Sequence, residues 1–184
     1  MQRRSPRWSL VLPPSGGYTK LVSFKVALLL YDMTVRFVDR YIPKGSRTAD
    51  QMEQAARSGA KNIAEGSVIS ATTKKLEMNL TSVARASLDE LKGDYEDFLR
   101  HRKLPLWAPR DKRRYELTQL RAKDADELAM WVRSLWLREK QERMAAVEGP
   151  RTARTPRTVQ ERAYAEFSAN IGQALSMVAI DLVD

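Results

Sequence analysis

The chain has 184 residues, enough for one domain with appendages and a sizeable core. Hydrophobic residues make up 43% and charged residues 30%, and Lys plus Arg outnumber Asp plus Glu by 32 to 23, a net charge of +9 that favours RNA, DNA or another polyanion as partner. The absence of cysteine excludes disulfides, thiolate metal sites and a cysteine nucleophile, and the single histidine, His101, excludes a multi-histidine metal site within one chain.

Residues 1–17 read as a flexible basic arm with Arg3, Arg4 and Arg7, no acidic residue, and a Pro-Pro-Ser-Gly-Gly ending. Its apolar run Trp8–Leu12 is too short for a signal-peptide core or a membrane span, and no later segment reaches membrane length without charges. The expectation is a cytoplasmic protein with no membrane association.

A first helix is predicted from Tyr18 to Tyr41, with Leu21, Phe24, Leu28, Tyr31, Val35 and Val38 repeating at steps of three and four as its apolar stripe. Pro43 and Gly45 end it. A second helix is predicted from about Ser46–Asp50 to Glu65. Its inner face is small (Ala55, Ala56, Ser58, Gly59, Ala60), which lets neighbouring backbones approach, and Gly66 is the expected stop. A third begins after Thr72 or Thr73, either of which can cap it, and continues to about Arg102 with Leu76, Leu80, Val83, Ser87, Leu91, Tyr95 and Phe98 in register.

The connector Leu104-Pro105-Leu106-Trp107-Ala108-Pro109 breaks the flanking helices through its prolines. A fourth helix is predicted from Arg110 to Met144 on a stripe of Leu117, Leu120, Leu128, Trp131 and Leu135, interrupted by Asp124. Residues 145–157 read as a basic linker carrying Arg151, Arg154 and Arg157. A last amphipathic helix over 158–184 follows, with Tyr164, Phe167, Ile171, Leu175, Val178 and Leu182 on one face. The fold class is therefore all-α: an up-down-up-down four-helix bundle over 18–144 with an additional C-terminal helix.

No motif asks for catalysis. There is no phosphate loop with Lys-Ser/Thr, no Gly-x-Ser-x-Gly elbow and no His-Glu-x-x-His. The carboxylates Asp89, Glu90, Asp94, Glu96 and Asp97 read as solvated faces with nearby cationic partners, because a di-iron bundle would need Glu-x-x-His pairs. The expectation is a protein that is not an enzyme and uses no cofactor or metal.

The densest positive charge surrounds the third connector: Arg100, Arg102, Lys103, Arg110, Lys112, Arg113 and Arg114, against the single acid Asp111. Cations at that density can hold phosphates, with Trp107 either stacking a base or packing as a lid on the bundle. Lys74 and Lys75 open the third helix, where the dipole disfavours cations, which makes them further candidates for a nucleic-acid partner. The segment Asn62-Ile63-Ala64-Glu65-Gly66-Ser67 is the most distinctive local feature. In and just before it, Arg57, Ser58, Asn62, Glu65 and Gly66 are read as structural or oligomer-contact residues.

The run Gln54 to Ser67, followed at the right spacing by Val83-Ala84-Arg85-Ala86-Ser87-Leu88-Asp89-Glu90-Leu91, resembles the bacterial four-helix-bundle proteins. That family includes the proteins encoded in ribosomal RNA intervening sequences and the accessory variability determinant (Avd) of diversity-generating retroelements. Tyr41–Arg47, Tyr95–Arg100 and Leu104–Trp107 are similar to a longer branch that carries a C-terminal suffix domain. The resemblance spans roughly Tyr18 to Met144. It implies a homo-oligomer, a ring of five, with a basic outer surface that binds a reverse transcriptase and its template RNA without performing the chemistry. A protein–protein scaffold, or an intervening-sequence protein of unassigned role, is the alternative.

Overall fold

The computed structural model describes residues 17–146 and Ala174. The basic arm, the linker beyond 146 and the rest of the C-terminal helix lie outside the described residues. The described residues form helices and no strand: α1 (Val22–Tyr41), α2 (Arg47–Ile69), α3 (Lys74–His101), α4 (Lys112–Leu120) and α5 (Ala125–Ala146). The chain is thus an all-α helical bundle with additional helical structure. No helix among the described residues is long and apolar enough to cross a membrane.

A 3-10 turn, Gly17–Lys20, leads into α1, so the first regular helix starts at Val22 rather than Tyr18. Tyr18 meets Phe24 edge-on at 4.9 Å and braces that entry. Ile42 is extended, as expected of a residue before proline, and it ends α1. The buried residues of α1 are Ala27, Leu29, Leu30, Met33, Thr34, Phe37 and Val38. This corrects the predicted stripe: Leu28 is 42% and Val35 37% exposed. The apolar arc of α1 is broad, interrupted by the charged sector of Lys25, Asp32, Arg36, Asp39 and Arg40, so two stripes within it satisfy the helical period. The aromatic residues of α3 select between them, since Phe37 lies 4.8 Å from Tyr95 and 4.7 Å from Phe98. Those edge-on contacts are the favoured aromatic geometry.

Gly45, at φ +75°, makes the turn into α2, and Ser46 caps α2 by accepting from the Thr48 amide at 3.2 Å. The small inner face behaves as expected. Ala55, Ala56, Gly59 and Ala60 are buried between α1 and α3, and a Cβ on Gly59 would stand 2.5 Å from Leu88 Cδ2. The helix does not stop at Gly66. It runs on to Ile69, and Ser70 N–H still donates to the Gly66 carbonyl at 2.9 Å. Gly66 is buried there, its missing side chain facing Leu80 and the Glu77 carbonyl of α3. Contact with α3 outweighs the stop signal that glycine carries in sequence.

Thr73 takes the N-cap position of α3 without a side-chain cap bond. The far end of α3 is closed by two bonds, Lys103 N–H to the Arg100 carbonyl (3.1 Å) and Leu104 N–H to the Leu99 carbonyl (3.0 Å). That pairing is the Schellman motif, and Lys103 occupies its left-handed position at φ +56°.

The predicted fourth helix divides in two. Asp111 caps α4 by accepting from Arg113 N–H at 2.9 Å, and Arg121, at φ +45°, ends it. Asp124, the residue that interrupted the stripe, accepts from the amides of Asp126 (3.0 Å) and Glu127 (2.9 Å), while Glu127 accepts from Lys123 N–H at 2.8 Å. Reciprocal capping of this kind starts a new helix. Arg138–Glu116 (2.6 Å) and Arg113–Glu139 (2.8 Å) hold α4 and α5 antiparallel, and Arg36–Asp126 ties the first turn of α5 to α1. Ala174 is helical and buried, and joins the core beside Trp107, Val132 and Leu135. Ala174 is the described residue of the region predicted as the C-terminal helix.

Candidate nucleic-acid interface

The seven cations of the third connector do different jobs. Arg113 is held by Asp111 (2.6 Å) and Glu139 (2.8 Å), and its guanidinium lies 4.4 Å from the centre of the Trp107 ring. Trp107 is 4% exposed. It is the lid of the two candidate roles, sealed by Arg113, and it offers no face to a base. The bond that the Arg113 guanidinium donates to Asp111 is the main reason the Arg113 pKa is raised, and the same bond holds the Asp111 carboxyl below the usual aspartate range. Arg113 is therefore a clamp between α4, α5 and the connector.

Arg102 reaches back over the end of the bundle. It donates to the Tyr41 carbonyl at 3.2 Å and stacks 3.7 Å from the Phe98 ring centre, and burial lowers its pKa. Arg100 pairs with Asp97 at 2.6 Å on the surface of α3. Arg114 is half-buried. What remains is Lys103, Arg110 and Lys112. All three side chains are exposed, and among the described residues none makes a hydrogen bond, an ion pair or a ring contact.

Lys74 and Lys75 are not part of this group. They open α3, and 26 residues separate Lys74 from Arg100, which at 1.5 Å per residue puts them about 39 Å away. Lys74 is paired with Glu77 at 2.6 Å, while Lys75 is exposed.

The motif residues of α2 divide in the same way. Asn62 donates to the Ser58 carbonyl (3.0 Å) and to Ser58 Oγ (3.1 Å), and Ser87 Oγ donates to Ser58 Oγ (3.0 Å). Ser58 and Asn62 thus form a polar seam between α2 and α3. Arg57 and Glu65 are exposed. Lys61, one turn after Arg57, is exposed on the same line and had no place among the sequence candidates, although its spacing of four was visible.

On the acidic face of α3, Asp97 pairs with Arg100 and Asp89 with Arg85 at 3.9 Å, and Glu90 is exposed. Asp94 is the exception. Its Oδ2 is buried without a hydrogen-bond partner, and burial, then the charges of Glu90 and Asp97, raise its pKa. Among the described residues no three side chains of the metal-binding types come together.

Comparison with protein-family models, with curated proteins and with solved structures finds no match to this chain.

Proposed function

We propose that the chain is a non-catalytic, oligomeric accessory protein that binds RNA electrostatically, as a ring of five that serves the reverse transcriptase of a retroelement in the cytoplasm. The observation that carries the RNA part is the unpaired trio Lys103, Arg110 and Lys112 on the connector. Arg102 and Arg113 are bound into the fold, while Lys103 just past the end of α3, Arg110 on the connector and Lys112 at the start of α4 stay exposed; the α3 dipole favours the first of them. Lys103 holds a left-handed conformation that glycine would adopt at lower cost. A cation kept at that cost is consistent with use by a partner. Phosphates neutralised there release counterions, and the polymerase supplies the chemistry.

The assembly part is supported by the row Leu21, Leu28 and Val35, which stands exposed along α1 at intervals of seven residues. Ring size and polymerase partner rest on the family resemblance of the motifs. That same row also favours the second reading, a protein–protein scaffold without RNA.

Fluorescence anisotropy with a single-stranded RNA across a salt series tests the proposal. Binding should weaken with a log–log slope of about −0.7 per phosphate contacted, so about −2 for the trio. Absence of binding at low salt, or binding indifferent to salt, sinks the RNA reading. A monomer in light scattering at micromolar concentration sinks the ring.

A further inference from the structure

A groove of about 650 Å³ opens at the end of the bundle opposite the connector, between the start of α1, the end of α2 and the first half of α3. Leu21, Ile63, Ala84 and Leu88 give it apolar walls, and Ser67 and Thr81 add hydroxyls. Arg36, where α5 is tied to α1, lies 13 residues beyond Ser23 on the groove's rim, or about 20 Å along the helix. The corner of the bundle beside the groove is therefore left uncovered by α5.

We infer that this groove is the seat of the chain's own N-terminal segment Trp8–Leu12, bound in the same subunit. Three observations select that occupant. The first is position. The 3-10 turn at Gly17–Lys20 packs on α1 and α2, and Leu21, just after it, lines the groove, so the first described residues lie beside it.

The second is length. Four residues, Pro13-Pro14-Ser15-Gly16, separate Leu12 from Gly17, a tether of up to about 16 Å with turn-forming chemistry. Trp8 to Leu12 extends about 13 Å when the chain is stretched, and the α3 wall from Glu77 to Asp89 is about 18 Å long.

The third is chemistry. In an extended segment Trp8, Leu10 and Leu12 share one side, which suits the apolar wall. The groove's carboxylates are already paired, Glu77 with Lys74 and Asp89 with Arg85, so its apolar wall is what suits the segment, with Arg3, Arg4 and Arg7 left to solvent-facing positions before it. Ala174, from the other candidate segment, lies at the opposite end of the bundle beside Trp107, Val132 and Leu135. The inference does not depend on RNA binding.

The chain has no cysteine, so engineered pairs report without background. Full-length protein carrying Ser67→Cys or Thr81→Cys, each combined with a cysteine replacing Trp8, Leu10 or Leu12, is oxidised gently at low concentration. At least one pair should lose both free thiols and run as a disulfide-closed single chain. Adding serine at the two remaining apolar positions of the segment should abolish that closure. Arg133→Cys on α5, paired with the same arm positions, should keep its thiols. No closure in any pair, closure as readily with position 133, or disulfides formed only between chains overturns the inference. The last result would place the segment in a neighbouring copy.

Discussion

The hydroxyl of Tyr95 donates to Oγ1 of Thr34 across 3.0 Å, and the Thr34 hydroxyl in turn donates to the Leu30 carbonyl at 2.7 Å. Both side chains are fully buried. The pair therefore fixes the rotation of α1 against α3 at the level of the aromatic cluster. Burial also pushes the Tyr95 phenol well above its ordinary pKa, so it stays a donor throughout the usable pH range.

Removing either partner has unequal consequences. Tyr95→Phe deletes a donor and leaves Thr34 bonded to Leu30, at a cost of about 1 kcal/mol. Thr34→Val leaves a buried hydroxyl with nothing to bond, at a cost of about 2 kcal/mol or more. Urea midpoints of the two single variants and the double variant check this. The double variant should be less destabilised than the sum of the singles, because the stranded hydroxyl is gone. Equal losses with strict additivity would mean the bond does not form.

The two buried glycines of α2 should respond with opposite signs. At Gly66 a Cβ would meet nothing closer than 3.5 Å. Gly66→Ala should raise stability by about 0.5–1 kcal/mol, the helix-propensity gain. At Gly59 a Cβ would stand 2.5 Å from Leu88. Gly59→Val should lower stability by about 1–3 kcal/mol through overpacking, and Leu88→Ala in the same chain should recover part of the loss. Thermal melts by circular dichroism measure both. Loss of stability in Gly66→Ala would return Gly66 to the helix-stop role that its residue type suggests.

The contrast between these glycines shows what the sequence could and could not convey. The helical periods and the small inner face of α2 were legible, because period and residue size are local properties. The buried stripe of α1 was not. Leu28 and Val35 satisfy the period as well as Leu30 and Phe37 do, and only Tyr95 and Phe98, some sixty residues on, decide between them.

The break in the fourth helix was half-legible. Asp124 marked the place, but reading it as a cap needed Glu127 to close the reciprocal bond. Among the site residues, charge density located the connector, but it could not separate Arg113, clamped by Asp111 and Glu139, from Lys112 beside it. That distinction rests on Glu139 of α5, which the chain's reversal brings alongside.

Acid should loosen the clamp. Asp111 titrates below the ordinary aspartate value because Arg113 bonds its charged form. A carboxylate depressed in the folded state contributes stability that is complete above the unfolded pKa, about 3.9, and is lost as pH falls from there through the folded value. Asp111→Asn lacks that contribution at every pH. Its urea midpoint should therefore lie below that of the parent at neutral pH, and the gap should close at lower pH. A gap that stays constant down to pH 2 would mean that capping of α4, which asparagine preserves poorly or well at any pH, accounts for the whole difference.

Lys103 offers a test in which stability and binding move apart. It terminates α3 in the left-handed region, where a side chain costs about 1 kcal/mol relative to glycine. Lys103→Gly should thus raise stability by about that amount while weakening RNA binding and reducing the magnitude of its salt slope by about 0.7. Lys103→Asn keeps much of the left-handed tolerance and also lacks the charge, so it should bind RNA as weakly as the glycine variant. Arg113→Ala makes the reverse comparison, losing stability because Trp107, Asp111 and Glu139 lose their shared partner. Its salt slope, read at a temperature where it remains folded, should match the parent. If Lys103→Gly binds RNA with an unchanged slope, the exposed trio is not where phosphates are held.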